Sequence, residues 1–489
     1  MLSAITKWII RGIMFFLNCL ISPMTLFRGF QSRERCPPIR NKLLLVSANE
    51  LARRIRLTSE EVVMAYISRC RDVNPIINAI VESRFEIAIQ EAREADDLVR
   101  SGKKSLDEIS RETPLLGIPV TVKESIAVQG MSHAAGTKRP NTPIALQDAD
   151  VVHRVRAAGG IVLLVSNTPE MCMCWETFNK ITGTTVNPYD SRRTAGGSSG
   201  GEAALLGSAA SLLSLSSDIG GSARLPAMFC GVFGHKPTPG SVSTNGHMPD
   251  CDDKGWSNFF SMGPMTRYAE DLPLILKTMC QSTGKNLELD KKISLKDMKF
   301  YYMENDSGSG ATNSIDREIV EGIKRVVRYL KTQHGITQWK SVFVEVIKYM
   351  CLMSPHTLPN MLYGILKKLS DRLPKSFHEN MVAKNAALKG QFAELLGDNG
   401  VLIYPSFVSA AHYPYQIFPK VCNVSYMMIY NSLGLPVTQC PIGLNRNGLP
   451  IGIQIVANPG CDNLTIKLAQ EIEKGFGGWQ PPMRSEKPV

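Results

Sequence analysis

Residues 196–224 read GGSSGGEAALLGSAASLLSLSSDIGGSAR, and this stretch contains the pattern that decides the fold. A loop of glycine and serine stands at each end. Between the loops, Glu202–Ala210 is rich in Ala and Leu and predicts a helix, while Leu212–Ser217 is an apolar, strand-like run. A helix that leads into a buried strand is typical of α/β proteins, whose sheets are covered by helices. The stretch therefore predicts an α/β fold.

The same alternation continues on both sides of this stretch. Thr58-Ser-Glu-Glu61 is a capping box and predicts the start of a helix. Further predicted helices cover 85–100 and 150–159, and the predicted strands are 116–123, 161–165, 401–404, 435–437 and 451–456. Residues 312–395 are predicted to be mostly helical, including 342–347 and 358–366. No boundary interrupts these elements, so one large domain is predicted over 45–489.

The N-terminus has a different character. Residues 7–27 read KWIIRGIMFFLNCLISPMTLF, and an apolar stretch of about 20 residues can cross a bilayer as a helix. Arg11 lies near one end, where a long side chain can reach the interface. We therefore expect a single-pass membrane anchor over 1–30 and a linker over 31–44. A cleaved signal peptide stays open as an alternative, although no small-residue cleavage site follows.

Charge and cysteine content narrow the class of protein. The chain has 489 residues and a formal net charge of +11, but seven basic residues and one acidic residue lie in the first 42. A nucleic-acid partner is therefore not expected, since such proteins usually spread basic residues over a folded face. The twelve cysteines form no CxxC pair and no zinc-type cluster. They suit a reducing compartment, and so an intracellular membrane is the expected location.

The first Gly-Ser loop allows three interpretations. It is a tight turn with hydroxyl caps, or an anion site at a helix N-terminus, or a nucleophile elbow in which Gly196–Gly200 matches GxSxG around Ser198. The elbow requires a downstream histidine. The available histidines are His235, His247, His334, His356, His378 and His412, and no local pattern singles one out.

The second loop carries more chemistry. The amides of Gly220, Gly221 and Ser222 can converge on one oxygen, as an oxyanion hole requires, and Ser222 itself could be the nucleophile. Asp218 and Arg224 are interpreted as an ion pair that supports the loop. Lys123 ends a predicted buried strand, where desolvation would lower the pKa of its amine enough for it to act as a base.

With these residues, the chain resembles the amidase signature family over roughly 45–480. The matching segments are residues 117–124 (GIPVTVKE), 184–188 (TTVNP), 196–202 (GGSSGGE), 217–224 (SDIGGSAR), 231–237 (GVFGHKP), 434–436 (GLP) and 448–454 (GLPIGIQ). The resemblance implies a large twisted mixed β-sheet covered by helices on both faces. It also implies a reaction without metal or cofactor, with Ser222 as nucleophile, Ser198 in a cis peptide as proton relay and Lys123 as base. The amides of Ile219, Gly220, Gly221 and Ser222 would hold the oxyanion.

Within the family, the N-terminal stretch and the run 219–226 resemble the membrane-anchored fatty-acid amide hydrolases of the second type. The resemblance implies a lipid amide substrate and a membrane as partner. Two departures are Ala223, where isoleucine is usual, and a region near 335–370 that is shorter than in those relatives. The alternatives are an amidase for short-chain or aryl amides, an amidotransferase subunit acting on charged tRNA, which the apolar N-terminus disfavours, and an inactive protein that binds lipid amides. The sequence leaves open whether the chain forms a homodimer.

Overall fold

The strands of the protein assemble mainly into one large mixed sheet. The computed structural model describes residues 4–53, 58–251, 253, 255–280, 287–306, 312–336, 339–341 and 375–482. The strands are β1 (Ile80–Ser83), β2 (Pro119–Lys123), β3 (Ile161–Ser166), β4 (Phe178–Asn179), β5 (Gly183–Thr184), β6 (Val186–Asn187), β7 (Asp190–Thr194), β8 (Leu213–Asp218), β9 (Phe233–Lys236), β10 (Ser261–Thr266), β11 (Lys299–Tyr302), β12 (Trp339–Ser341), β13 (Gly400–Pro405), β14 (Val437–Leu444) and β15 (Pro450–Val456). Eleven of these described strands share one sheet, in the order β1-β3-β2-β8-β10-β9-β14-β15-β13-β11-β12.

Helices connect the strands and pack against them. They are α1 (Ala4–Phe30), α2 (Ala48–Arg53), α3 (Ser59–Ile77), α4 (Phe85–Arg100), α5 (Leu106–Glu112), α6 (Asp150–Ala157), α7 (Gly200–Gly207), α8 (Arg224–Phe229), α9 (Leu272–Cys280), α10 (Arg317–His334), α11 (Lys375–Leu396), α12 (Ser425–Ser432) and α13 (Asp462–Phe476). Every residue of β2, β3 and β8 is buried. Because side chains alternate between the faces of a strand, both faces of the central sheet are covered. The α/β prediction is confirmed.

The centre of the sheet brings three parallel strands together. β2 pairs in parallel with β3 on one side and with β8 on the other. The carboxyl ends of these strands therefore meet at one edge of the sheet, where Lys123 ends β2 and Asp218 ends β8. Ligands of α/β proteins commonly bind at this edge.

Most predicted elements occur with small shifts in their ends. Thr58 and Glu61 form the predicted capping box at the start of α3, and α4 has the predicted bounds. The strand predicted over 435–437 is wrong in position, since β14 begins only at Val437 and runs to Leu444. Between 312 and 395, α10 and α11 are helical as predicted, but β12 interrupts the helical pattern as an edge strand parallel to β11. The predictions for 342–347 and 358–366, and most of the shortened region near 335–370, lie outside the described residues.

The predicted single-pass anchor is not supported. The N-terminal stretch does form a helix, α1, of 27 residues. Within the part of the chain that the structure describes, however, no helix combines the length and the apolarity needed to cross a membrane. The C-terminal part of α1 instead packs against the turn Phe418–Val424, and Arg192 Nη1 donates a hydrogen bond of 3.1 Å to the Gly29 carbonyl oxygen.

Candidate active site

Lys123 is a fully buried lysine at the end of a central strand. Its Nζ is 2.7 Å from Ser198 Oγ and 3.0 Å from Ser217 Oγ. Burial lowers the pKa of Lys123 below the usual range of a lysine. The amine therefore has access to its neutral form, in which it donates two hydrogens and offers one lone pair. A neutral lysine beside a hydroxyl can act as a base.

The first Gly-Ser loop presents Ser198 to this lysine. The peptide bond between Gly197 and Ser198 is cis, as the resemblance implies. Thr168 Oγ1 donates to the Ser198 carbonyl oxygen at 3.1 Å. Gly196 has φ +84°, and a Cβ there would lie 2.7 Å from Pro226 Cα, so the loop accepts only glycine at this position. The backbone on both sides of Ser198 is thus held in place.

The two Gly-Ser loops are joined directly. The Ser199 amide donates to the Ser222 carbonyl oxygen at 3.1 Å, which places the Ser222 segment beside the Ser198 segment. Ser222 is 5% exposed, whereas Ser198 is 1% exposed and Lys123 is fully buried. Of the three residues, Ser222 is therefore the least buried, and Lys123 lies deepest.

Asp218 and Arg224 brace the second loop, and both are buried. Arg224 Nε is 2.9 Å from Asp218 Oδ2, and Arg224 Nη2 is 3.0 Å from Asp218 Oδ1. Arg224 also donates to Gln454 Oε1 at 3.0 Å and to Asn431 Oδ1 at 2.6 Å. Burial raises the pKa of the Asp218 carboxyl, but the charge of Arg224 outweighs this and holds the pKa well below its usual range. The pair is charged and supports the loop between its members.

The oxyanion amides are only partly free. Gly221 N donates to Asp218 Oδ1 at 2.8 Å, so this amide is already engaged. Among the described residues, the amides of Ile219, Gly220 and Ser222 donate to no other group. Of the four amides that the resemblance assigns to an oxyanion hole, three are therefore available to a ligand in the described part of the chain. The carboxylate of Asp218 takes the fourth because it must satisfy the backbone of its own turn.

Apolar side chains cover the second loop. A Cβ on Gly220 would lie 3.3 Å from Met428 Cε and 3.5 Å from Trp175 Cζ2, and the Trp175 indole N–H donates to the Gly220 carbonyl oxygen at 2.8 Å. Gly221 has φ +104° and is covered by Met427. The second loop is thus packed against apolar side chains on the side of Gly220 and Gly221.

Among the described residues, no histidine bonds Ser198 Oγ, as the elbow interpretation requires; the side chain that bonds it is that of Lys123. His235 bonds Asp462 and Thr438 elsewhere in the core, and His412 faces Glu176. The predicted residues Lys123 and Ser198 are brought together, and Ser222 is joined to them through the loop contact.

Four side chains that complete the site were not predicted from the sequence. Ser217 bonds Lys123, and His247 Nε2 lies 3.0 Å from Ser217 Oγ. Asn431 and Gln454 bind Arg224 from the C-terminal third of the chain. Ser217 directly precedes Asp218 in the quoted stretch, so its position was a usable signal. His247 was one of six candidate histidines, but nothing local distinguished it.

Several known proteins are similar to this chain in sequence or in fold. The family described as "Amidase" matches residues 61–339. Fatty-acid amide hydrolase 2 of Homo sapiens is 37% identical, over 98% of this chain and 98% of the relative. Fatty-acid amide hydrolase 2-B of Danio rerio is 38% identical, over 97% of each chain. A solved structure titled fatty acid amide hydrolase is similar in fold, with a TM-score of 0.71, 20% identity and coverage of 90% of this chain and 87% of that one.

Proposed function

The chain belongs to the amidase signature family and is a hydrolase that acts on amide bonds, and we propose that it cleaves fatty-acid amides at a membrane surface. Lys123, Ser198 and Ser222 carry the reaction. The observation on which the proposal rests is the 2.7 Å contact between Lys123 Nζ and Ser198 Oγ, in a loop bonded to the Ser222 segment. The relatives that are 37% and 38% identical over nearly their whole length support the fatty-acid amide as substrate.

The reaction runs through an acyl-enzyme. Neutral Lys123 takes the proton of Ser198, and Ser198 takes the proton of Ser222 as Ser222 Oγ attacks the carbonyl carbon of the amide. The amides of Ile219, Gly220 and Ser222 stabilise the resulting oxyanion. Ser198 then protonates the leaving nitrogen, the C–N bond breaks, and Lys123 restores the Ser198 proton. Water hydrolyses the ester on Ser222, so that one amide and one water give one fatty acid and one amine.

Burial of the base explains why lysine can serve here. An exposed lysine is almost fully protonated at neutral pH and cannot accept a proton. Lys123 has no contact with water, and burial disfavours its charged form. The nearby carboxylates of Asp218 and Glu202 raise the pKa of Lys123. The effect of burial is larger, so the net pKa of Lys123 is lowered.

Membrane association is proposed from the outer face of α1. Met14, Leu17, Ile21 and Thr25 are partly buried and recur at helical spacing. The remaining large apolar side chains of the C-terminal part are more than half exposed: Phe15, Phe16, Leu20, Met24, Leu26, Phe27 and Phe30. An apolar helix face of this kind can lie in the interface between headgroups and acyl chains. It would hold the hydrolase where lipid-dissolved amides are found.

Two measurements test the catalytic part of the proposal. Ser222→Ala should abolish labelling by a fluorophosphonate probe and all hydrolysis of oleamide, whereas Thr332→Ala, an exposed hydroxyl on α10, should change neither. Oleamide should be hydrolysed with a much higher kcat/KM than acetamide. Labelling that persists in Ser222→Ala contradicts the assignment of the nucleophile, and equal or better turnover of acetamide contradicts the fatty-acid substrate.

The membrane part is tested with vesicles. Replacing Phe15, Phe16, Leu20 and Phe27 together by Ser should release the protein from phosphatidylcholine vesicles in a sedimentation assay. The matched control is Leu146→Ser, because Leu146 is 89% exposed but lies far from α1 in sequence. Unchanged sedimentation of the fourfold variant contradicts membrane binding through this face.

A further inference from the structure

His247 lies directly behind the lysine of the proposed triad. It follows β9 in a long loop, is 6% exposed, and contacts the ring of Phe260 with a centroid distance of 4.6 Å. Its Nε2 is 3.0 Å from Ser217 Oγ and 3.2 Å from Ser125 Oγ. Its Nδ1 is 3.0 Å from the Pro249 carbonyl oxygen. The ring is therefore connected to Lys123 through Ser217.

The partner of Nδ1 fixes the tautomer of this ring. A carbonyl oxygen can only accept a hydrogen bond, so His247 Nδ1 must carry a hydrogen and donate it to Pro249. Burial is the main cause that lowers the pKa of His247, to about 3. The ring is neutral at physiological pH. Its Nε2 is then an acceptor, and the nearer of the two hydroxyls facing it is that of Ser217.

The tautomer in turn fixes the direction of the bonds at Ser217. If the Ser217 hydroxyl donates to His247 Nε2, its oxygen is left to accept from Lys123 Nζ. The neutral amine of Lys123 has two hydrogens and one lone pair. One hydrogen goes to Ser217, and the thiol of Cys172 is a further partner of the amine. The lone pair remains for Ser198 Oγ at 2.7 Å.

The opposite direction would block the base. A Ser217 hydroxyl free to rotate could donate to the Lys123 lone pair at 3.0 Å and occupy it. Ser198 could then not be deprotonated without first breaking that bond. We propose that His247 is a positioning residue. Its Nε2 accepts a hydrogen bond from the Ser217 hydroxyl, and this leaves the Lys123 lone pair available to Ser198. This inference rests on the proposed function, since it assigns no step of its own.

A double-mutant cycle tests the role. The rate of fluorophosphonate labelling of Ser222 reports the acylation chemistry without depending on the choice of amide. His247→Leu should lower this rate about two- to tenfold, the effect of one competing neutral hydrogen bond. With an amide substrate, kcat should fall equally while KM is unchanged. In a Ser217→Ala background, where the competing hydroxyl of residue 217 is absent, His247→Leu should have no further effect on the rate.

Two further variants serve as controls. His247→Gln should restore most of the rate, because its side-chain oxygen can accept from Ser217 where Nε2 does. Ser125→Ala should leave the coupling between His247 and Ser217 intact, because Ser125 is the more distant hydroxyl. Melting temperatures of all variants separate these effects from loss of folded protein.

The outcomes are distinguishable. Equal effects of His247→Leu in both backgrounds mean that the ring acts only by packing on Phe260, and they overturn the inference alone. A parent protein that labels at Ser222 but shows no change in His247→Leu overturns it as well. A parent protein that is not labelled at Ser222 overturns the proposed function, and the inference with it.

Discussion

Asp218→Asn is expected to destabilise the protein strongly, because it leaves a buried charge without its partner. Asp218 accepts hydrogen bonds from Gly221 N, Ala223 N, Asn431 Nδ2 and two nitrogens of Arg224. Both side chains of the pair are buried, at 0% for Arg224 and 1% for Asp218. Asparagine keeps one acceptor oxygen but turns an NH₂ group toward donors. The guanidinium of Arg224 then loses its negatively charged partner and faces an NH₂ group, whose hydrogens carry partial positive charge.

The structure sets the expected size of this effect. Breaking a buried ion pair by removing one partner costs about 3–5 kcal/mol. Arg224 keeps the side-chain oxygens of Gln454 and Asn431 and the carbonyl oxygen of Met427, which lie 3.0, 2.6 and 3.2 Å away. These neutral acceptors offset part of the cost, so the lower half of the range, about 3–4 kcal/mol, is expected. Urea denaturation followed by tryptophan fluorescence should show a lower midpoint with an unchanged slope.

Controls isolate the charge from the change of shape. Combining Asp218→Asn with Arg224→Met removes both charges and should recover most of the stability. Glu60→Gln breaks a similar pair with Arg93 that is exposed to water, and its midpoint should be nearly unchanged. A loss below about 1 kcal/mol for Asp218→Asn would refute the reasoning, since exposed pairs contribute that much at most.

The remaining predictions concern protonation and backbone shape. Burial lowers the pKa of Lys123, and only the neutral amine accepts a proton. We therefore expect kcat/KM to fall as the pH drops through that pKa. A pH–rate profile without such an acidic limb contradicts the assignment of Lys123 as the base. Burial raises the pKa of Glu176 to about 7, above the value of about 4.3 in an unfolded chain. The contribution of Glu176 to stability is therefore complete below about pH 4, and it is lost as the pH rises through 7. Glu176→Gln should flatten the dependence of stability on pH between about pH 4 and 7, and thermal melting across this range checks it. For Gly221, φ is +104° and a Cβ would lie 2.5 Å from Met427 Sδ, so Gly221→Ala should abolish Ser222 labelling. Gly220→Ala should retain part of the labelling, because its tightest new contact, at 3.3 Å, is with the flexible end of Met428 and its contact with the Trp175 ring at 3.5 Å is an ordinary one.

Locally determined features were readable from the sequence. The capping box at Thr58 requires only residues within one helical turn, and it is present as predicted. Lys123 was placed at the end of a buried strand because strand and burial follow from the apolar pattern. In each case the deciding interaction joins neighbours along the chain.

Contacts between distant segments were not readable. His247 reaches Ser217 across 30 positions, and Asn431 reaches Arg224 across 207. Such pairs depend on how strands are ordered in the sheet, which no local pattern encodes. The same applies to α1: its length and apolar content were evident, but its packing against Phe418–Val424 requires the folded domain.

The bond between Arg224 and Gln454 has a consequence for biosynthesis. The two residues are 230 positions apart. At about 5–20 residues per second, the ribosome adds Gln454 roughly 10–50 s after Arg224. During that interval the nucleophile segment exists without the side chains that later hold its guanidinium, and a nascent chain of this kind is a natural client for chaperones. A truncated translation product that ends before α12 would contain Lys123, Ser198 and Ser222, the proposed catalytic residues, and would still lack the side chains of Asn431 and Gln454, which bind Arg224.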